Sequence, residues 1–402
     1  MNIVHITTYS RGGAFRSAQR LHEGLIKQGI NSKILFLEGR ILDQNYIKFH
    51  QVPKTPPERI LKKLKLPNPI AISNHKKIKG LIGDFEKLSL PNTPYRVEDH
   101  PLLKWADVIN LHWVSDFIDY SRFFKKIKKP IVWTLHDMNP FMGVFHYQND
   151  FDNNEVYQSL DMSMRDYKRQ CLKNSKIKIV APSKWLKKES THSLVFKGFQ
   201  HYHIPYGINT EVFQRHEKSF SRKVLAIAKT KTVFLFVVDF LISKRKGGSL
   251  IVEAMERVIQ NFENVIIMTV GNGNIESEVL KDHIVNLGSI NDDRLMSIIY
   301  SASDALLLPS AEDNLPNVMI ESLVCGTPVI TNFTGGMKDV IISGINGLFA
   351  KHLNATEFEE VISNFIETQA TFNNHEIMEN AIQKFELNIQ ALNYIKLYNT
   401  LS

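Results

Sequence analysis

The feature that most constrains the fold of this chain is an alternation, run through twice, of short apolar segments with helical ones. Runs rich in Ile, Val and Leu predict strands over residues 3–7, 32–36, 108–111, 131–135, 177–180 and 202–204. A second series follows at 233–238, 265–270, 285–287, 305–308 and 329–331. Between them, helical spacing of apolar residues predicts helices over 16–27, 249–260 and 292–301, with another at 388–398 near the end. Strands that alternate with helices assemble into parallel sheets covered on both faces. Two such series predict two doubly wound α/β units, joined near Pro205-Tyr206-Gly207, ahead of the polar stretch 215–223. A length of 402 residues also exceeds what one ordinary core serves.

Composition narrows the function classes. With 43% hydrophobic and 22% charged residues the chain reads as folded and soluble. The start, MNIVHITTYS, lacks the basic lead and long apolar core of a signal peptide and reads as a first strand. No stretch approaches the roughly 20 apolar residues that cross a bilayer. The two cysteines, Cys171 and Cys325, allow neither a disulfide framework nor a cysteine-rich metal site, which implies a reducing, cytoplasmic setting. The net charge of +8 is concentrated between Lys54 and Lys87, where Ile60, Leu61 and Leu64 alternate with Arg59, Lys62, Lys63 and Lys65. A basic amphipathic helix of this kind suits an anionic membrane surface, and equally a solvated face of a lysine-rich protein. Nucleic acid is disfavoured, because no aromatic platform, helix-turn-helix or zinc pattern accompanies the charge.

Residues 309–340, PSAEDNLPNVMIESLVCGTPVITNFTGGMKDV, carry the most chemistry. A loop of small and acidic residues follows an apolar strand and opens into a helix from about Asn317 to Val324. Amides around Pro316, Asn317 and Val318 then lie at a helix N-terminus, where free N–H donors and the helix dipole favour a phosphate. Glu321, one turn on, is placed to accept from ribose hydroxyls, so the pair implies a nucleotide or nucleotide-sugar site. In doubly wound sheets ligands bind at the carboxyl ends of strands. That rule selects this loop, the Gly12-Gly13 loop after the first strand, and His112 and His136, which end two further strands. The glycine pair lets a backbone approach a phosphate or sugar without Cβ interference. Gly271-Asn272-Gly273 lacks a full dinucleotide fingerprint, and Asp150-Phe151-Asp152 lies in a polar stretch that reads as a solvated loop, without a metal.

Seven segments in order resemble one family: SRGGAFRSAQRL at 10–21, DVINLHW at 107–113, TLHDMNPFMGVFHY at 134–147, APSKWL at 181–186, IPYGINTEVF at 204–213, KRKG at 244–247 and the 309–340 segment. The chain resembles the retaining nucleotide-sugar glycosyltransferases of family 4, over nearly its whole length. Its likeness is greatest to a branch used in bacterial surface-polysaccharide synthesis. The resemblance implies the GT-B fold: two Rossmann-like doubly wound domains facing across a cleft, with a C-terminal helix crossing back to the N-terminal domain. The corresponding domains are 1–205 on the acceptor side, 206–385 for the nucleotide sugar, and 386–402 as the returning helix.

The family pairs two acidic residues with seven between them, and here that register joins Asp313 to Glu321. The resemblance gives Glu321 the nucleotide ribose and Asp313, shorter than the usual acid, the donor-sugar hydroxyls. Glu312 is left as an exposed loop acid. Asn314, Leu315, Pro316, Asn317, Val318 and Gly271 complete the donor side with Gly12 and Gly13. Lys246 takes the diphosphate, whose developing charge needs cations or amide donors. The family's Gly-Arg pair falls on Leu241, a departure that Arg245 is placed to make good. His136 is assigned to the donor sugar and reacting centre, where it positions and polarises. Arg16, suited to an anionic acceptor or a loop cap, joins His112, Asp137 and His146 on the acceptor side.

The resulting expectation is a metal-independent retaining transferase without a cofactor. It moves a hexosyl unit from a nucleotide diphosphate sugar to a lipid-linked or growing surface glycan, from the cytoplasm, peripheral on the inner face of the cell membrane. The alternatives are a catalytically silent nucleotide-binding paralogue acting as an assembly partner, or a GT-B epimerase or phosphorylase.

Overall fold

The computed structural model describes residues 1–52, 56–64 and 66–401, without the side chain of Lys62. Lys54, Lys65 and the Lys62 side chain, part of the basic segment noted above, lie outside the described residues. The chain divides into two compact units, one of Met1–Ile204 with the stretch from Gln390 onward, the other of Pro205–Ile389.

The first unit is built on a seven-stranded parallel sheet. Its strands are β1 (Asn2–Tyr9), β2 (Asn31–Glu38), β3 (Tyr46–Lys48), β4 (Val108–Leu111), β5 (Ile131–Thr134), β6 (Ile177–Ala181) and β7 (Gln200–His203). They run in the order β3-β2-β1-β4-β5-β6-β7. The second unit holds a six-stranded sheet of β8 (Thr232–Phe240), β9 (Val265–Asn272), β10 (Ile284–Asn286), β11 (Ala305–Leu308), β12 (Val329–Asn332) and β13 (Gly347–Ala350). Its parallel order is β10-β9-β8-β11-β12-β13. In each sheet the order reverses beside the first strand, between β1 and β4 and between β8 and β11, and loops after those strands form the crevice where such folds bind ligands.

The near-continuous apolar runs of β4, β5, β11 and β12 are buried at every residue, as strands covered on both faces require. Sequence also sets the helix starts: Asp119, Ser183, Asp292, Asn354 and Asn373 each accept a hydrogen bond from the first turn of the helix they precede. The helix Leu387–Asn399 returns to the first unit's sheet. Its Ala391, Tyr394, Leu397 and Tyr398 pack with Ile3, Val108, Val132 and Val180 from four strands. The Tyr398 hydroxyl accepts from Asn110 Nδ2 at 2.8 Å, and the Tyr394 hydroxyl meets Thr134 Oγ1 at 2.8 Å.

Three local readings change. The helix after β1 spans Gly12–Lys27, so the glycine pair forms its first turn and is not a loop before it. First-turn residues need no hydrogen bond to a preceding turn, so glycine costs little there. The strand predicted over 265–270 runs on to include Gly271 and Asn272 in β9. Asp150 and Asp152 lie in the short helix Gln148–Asp152, where Asp150 Oδ2 accepts from the Glu86 amide at 3.2 Å.

Candidate functional site

The second unit gathers three loops at the carboxyl end of its sheet. After β8 the chain turns through Ser243 to Gly247 and enters the helix Gly248–Asn261. After β11 it runs through residues 309–316 into the helix Asn317–Val324. After β12, Gly335 and Gly336 close the group. The Ala311 amide donates to the Arg245 carbonyl at 2.8 Å, and Arg245 Nη1 donates to the Glu312 carbonyl at 3.0 Å. The Gly336 amide donates to the Asp313 carbonyl at 3.1 Å. Two glycines permit this approach: Gly247 has φ +73°, and an added Cβ would lie 2.3 Å from the Pro309 carbonyl oxygen. Gly335 has φ +52°, and its Cβ would lie 1.9 Å from that of Asp313.

Asp313 is thereby fixed from both sides. One carboxylate oxygen accepts from the Asn314 amide at 3.0 Å, and the other pairs with Lys246 Nζ, with Arg245 Nη1 at 3.9 Å. Burial alone pushes its acidity down; the charges of Lys246 and Arg245 outweigh that and hold the carboxyl below its ordinary range. Leu241, the family's arginine position, is buried in the core, so Arg245 supplies the second cation beside Asp313. Glu312 corrects its reading as an exposed loop acid, since only 4% of it is exposed. The clamped loop draws it inward with Asn314 and Leu315, both buried.

Glu321 is buried one turn into its helix, and its Oε2 accepts from the Tyr300 hydroxyl at 2.9 Å. Tyr300, on the helix Asp293–Ala302, is fully buried and went unnoticed in the sequence, where only a hydroxyl on an apolar helix face marks it. Pro316 and Gly247, the residues at the start of the helix that carries Glu321 and of the helix Gly248–Asn261, offer no capping side chain of their own. Helix N-termini beside Lys246 and Arg245 make an environment for a multiply charged anion. Pro316, Asn317 and Val318 stand at that N-terminus. Gly271 lies in the neighbouring strand with its amide committed to the Gly288 carbonyl at 2.9 Å.

In the first unit, the residues singled out past β1, β4 and β5 lie on adjacent strands. Gly12 has φ +82° with nothing within 4 Å of an added Cβ, so the backbone there borders open space. Arg16 is half-buried in the same helix. His112 is 1% exposed and not a surface residue: its Nδ1 lies 3.0 Å from His136 Nε2, and its Nε2 lies 2.9 Å from His5 Nδ1. His136 is half-buried, and burial lowers its pKa to about 4 against the opposing pull of Asp137. His5, a polar residue inside an apolar strand, was passed over in the sequence although that placement is itself a signal.

Asp137 and His146 form a second, separate network. Asp137 Oδ2 accepts from Trp113 Nε1 at 2.6 Å and meets His146 Nδ1 at 2.6 Å, while His146 Nε2 meets Ser89 Oγ at 3.0 Å. Burial raises the Asp137 pKa, and the His146 contact and the other donors more than reverse it. Both ring nitrogens of buried His146 are thus engaged within the protein, a framework role and not an acceptor contact. The segment 139–146 is braced beneath by the helix Gln158–Leu172. Asp161 Oδ1 accepts from the amides of Gly143, Val144 and Phe145 at 2.9, 2.7 and 3.2 Å. Lys168 Nζ donates to the carbonyls of Asn139 and Met142 at 2.6 and 2.8 Å. Among the described residues no three His, Cys, Asp or Glu side chains are grouped to hold a metal ion.

Comparison with known proteins places this geometry. Residues 217–385 match the family model described as Glycosyl transferases group 1. An uncharacterized glycosyltransferase of Methanocaldococcus jannaschii is 27% identical over 200 residues, 48% of this chain and 50% of that protein. The chain spans about half the length of the curated relatives it matches. Sucrose-phosphate synthase from Thermosynechococcus elongatus has a similar structure, with TM-score 0.68 and 17% identity over 100% of this chain and 99% of that one. The Anabaena protein HepE, solved in complex with UDP and glucose, gives TM-score 0.66 and 15% identity over 100% of both chains. The match to the family model lies within the second unit, and the fold is that of GT-B proteins, two Rossmann-like α/β domains with parallel sheets.

Proposed function

We propose that this protein is a retaining glycosyltransferase that moves a hexosyl unit from a nucleotide diphosphate sugar to a lipid-linked or growing surface glycan. The observation that carries the reading is the cluster of Lys246, Arg245, Asp313 and buried Glu321 around a helix N-terminus. Tyr300 holds Glu321 ready to receive the ribose hydroxyls. The helix N-terminus and the two cations receive the diphosphate, and Asp313 exchanges part of its pairing with Lys246 for donor-sugar hydroxyls. In the reaction the bond from the sugar's anomeric carbon to the diphosphate oxygen breaks, and a bond to the acceptor oxygen forms on the same face. The acceptor's proton passes to the departing phosphate oxygen, so no dedicated base is required. The cations absorb the charge that develops on the leaving group. His136 is assigned to the sugar, as a group that positions and polarises. That the Anabaena neighbour was solved with UDP and glucose supports a nucleotide-sugar donor.

Peripheral attachment to an anionic, cytoplasm-facing membrane surface belongs to the same proposal. The helices Pro56–Lys63 and Pro69–Ile78 and their flanks leave Ile60, Leu64, Leu66 and Ile82 between 52% and 90% exposed, among Arg59, Lys63, Lys76, Lys77 and Lys79. Apolar side chains exposed among cations suit an interface of lipid headgroups. No helix among the described residues is long and apolar enough to cross a membrane.

The test is release of nucleoside diphosphate from a panel of nucleotide sugars with a membrane-extracted acceptor. Turnover that Lys246→Ala and Glu321→Ala abolish supports the proposal. Nucleotide binding without turnover on any donor would instead favour a silent paralogue.

A further inference from the structure

We infer that His5 and His112 are positioning residues that fix the tautomer of His136, locking it as a neutral ring with its proton on Nδ1. His136 then meets its substrate as a hydrogen-bond donor and not as a base. This rests on the reading of His136 as a substrate-facing group.

The three rings form one row across adjacent strands β1, β4 and β5. His5 Nδ1 lies 2.9 Å from His112 Nε2, and His112 Nδ1 lies 3.0 Å from His136 Nε2. The ring centroids are 5.1 and 5.2 Å apart, with planes tilted by 37° and 32°. A neutral imidazole has one N–H and one bare nitrogen, and each contact needs one of each. His112, in the middle, must donate to one neighbour and accept from the other, so all the hydrogen bonds in the row point the same way.

Two directions remain. If His136 Nε2–H donates to His112, then His112 Nε2–H donates to His5 Nδ1, and the last proton sits on His5 Nε2. That nitrogen is buried with no hydrogen-bond partner. An orphaned buried N–H is among the rarest features of folded proteins, whereas an under-used acceptor is better tolerated. The other direction leaves only a bare lone pair at that end. His5 Nδ1–H donates to His112, His112 Nδ1–H donates to His136 Nε2, and the proton of His136 stays on Nδ1. Burial keeps all three rings neutral near pH 7, as the arrangement requires.

The chemical consequence concerns division of labour. Whatever faces His136 Nδ1 must be an acceptor oxygen, and on the reading above a sugar oxygen qualifies. The other ring nitrogen is occupied by His112, so the ring has no lone pair with which to take the acceptor's proton. That task stays with the departing phosphate.

The experiment is a long-range proton–nitrogen correlation spectrum of the full chain labelled with ¹⁵N-histidine at pH 7.5, with the His136 signals assigned by their loss in His136→Phe. The expected result is a protonated-type Nδ1 and an imine-type Nε2 for His136. His112→Phe should replace that pattern by a tautomer mixture. His112→Asn, whose amide nitrogen can occupy the Nδ1 donor position, should restore it. kcat should fall about tenfold in His112→Phe with KM little changed, the worth of one oriented hydrogen bond, and recover in His112→Asn. A proton on His136 Nε2 in the unaltered protein overturns the inference, and so does an unchanged pattern in His112→Phe. If that variant fails to fold, the unaltered protein and His112→Asn still decide. The predicted spectrum without turnover on any donor leaves the tautomer assignment standing and removes the transferase reading.

Discussion

Acidification from pH 7 to pH 5 should destabilise the first unit through its buried histidines. Six buried or half-buried histidines of that unit, His5, His22, His100, His112, His136 and His201, have their pKa lowered by burial. For His22 and His136 the value falls from 6.5 to about 4. A group whose pKa is lower folded than unfolded contributes its full stability above the unfolded value and loses it as pH falls towards the folded one. The window is therefore from about pH 6.5 down to about pH 4. At pH 5 a shift from 6.5 to about 4 has removed roughly 2 kcal/mol relative to pH 7, and two independent groups roughly 4 kcal/mol. His5 and His112 act in the same direction. Glu98 works the other way: burial raises its carboxyl, which adds stability as pH falls. Asp137 is held below the ordinary carboxylate range, so its contribution is lost only at lower pH. Lys168, lowered to about 7, loses stability between its unfolded 10.5 and that value. Scanning calorimetry at pH 7.5, 6.5, 5.5 and 5.0 should show the transition of the first unit falling by roughly 10 °C. His22→Asn, which removes one titrating ring, should recover roughly 2 kcal/mol of the loss. A melting temperature flat between pH 7 and pH 5 would refute the reasoning.

Further expectations concern the donor site, the first unit's loop and the membrane. Tyr300→Phe removes the donor to buried Glu321, and titration calorimetry should show nucleotide affinity reduced about tenfold, with a stability loss of about 1–2 kcal/mol by urea denaturation. Asp161→Ala leaves three buried amides and Arg165 without their acceptor, so it should cost about 3–5 kcal/mol in the same assay. Replacing Ile60 and Ile82 with Asp should abolish co-flotation with vesicles rich in anionic lipid. Equal flotation on purely zwitterionic vesicles would count against an electrostatic surface contact.

Most strands were legible because buried parallel strands read as unbroken apolar runs, and VINL and ALLL carry that signature without ambiguity. The strands β3 and β13 were missed for the complementary reason. Two residues of each are only half-buried, and β13 opens on Gly347, so neither reads as an unbroken run of buried branched residues. The helix start at Gly12 was hidden because a glycine pair is ordinary loop chemistry, and nothing local tells that the first turn of a helix is to contain it. In the candidate site, the resemblance singled out Glu321, Asp313 and Lys246, but not the partners the structure gives them. Glu312 looked exposed because an isolated acid usually is; its burial follows from loops after three different strands closing on one another. Tyr300 reaches Glu321 from another helix, and His5 reaches His112 across 107 positions, contacts that no local window contains.

On the proposed reading Glu321 and its neighbours bind a nucleotide diphosphate sugar, which a thermal-shift panel would reveal. UDP, GDP, ADP, CMP and their common sugar conjugates would be compared on the unaltered protein and on Glu321→Ala. A ligand that binds only the folded state raises the melting temperature by mass action. The account predicts stabilisation by one nucleotide series, lost in the variant. An equal shift in both proteins, or none with any nucleotide, would contradict it.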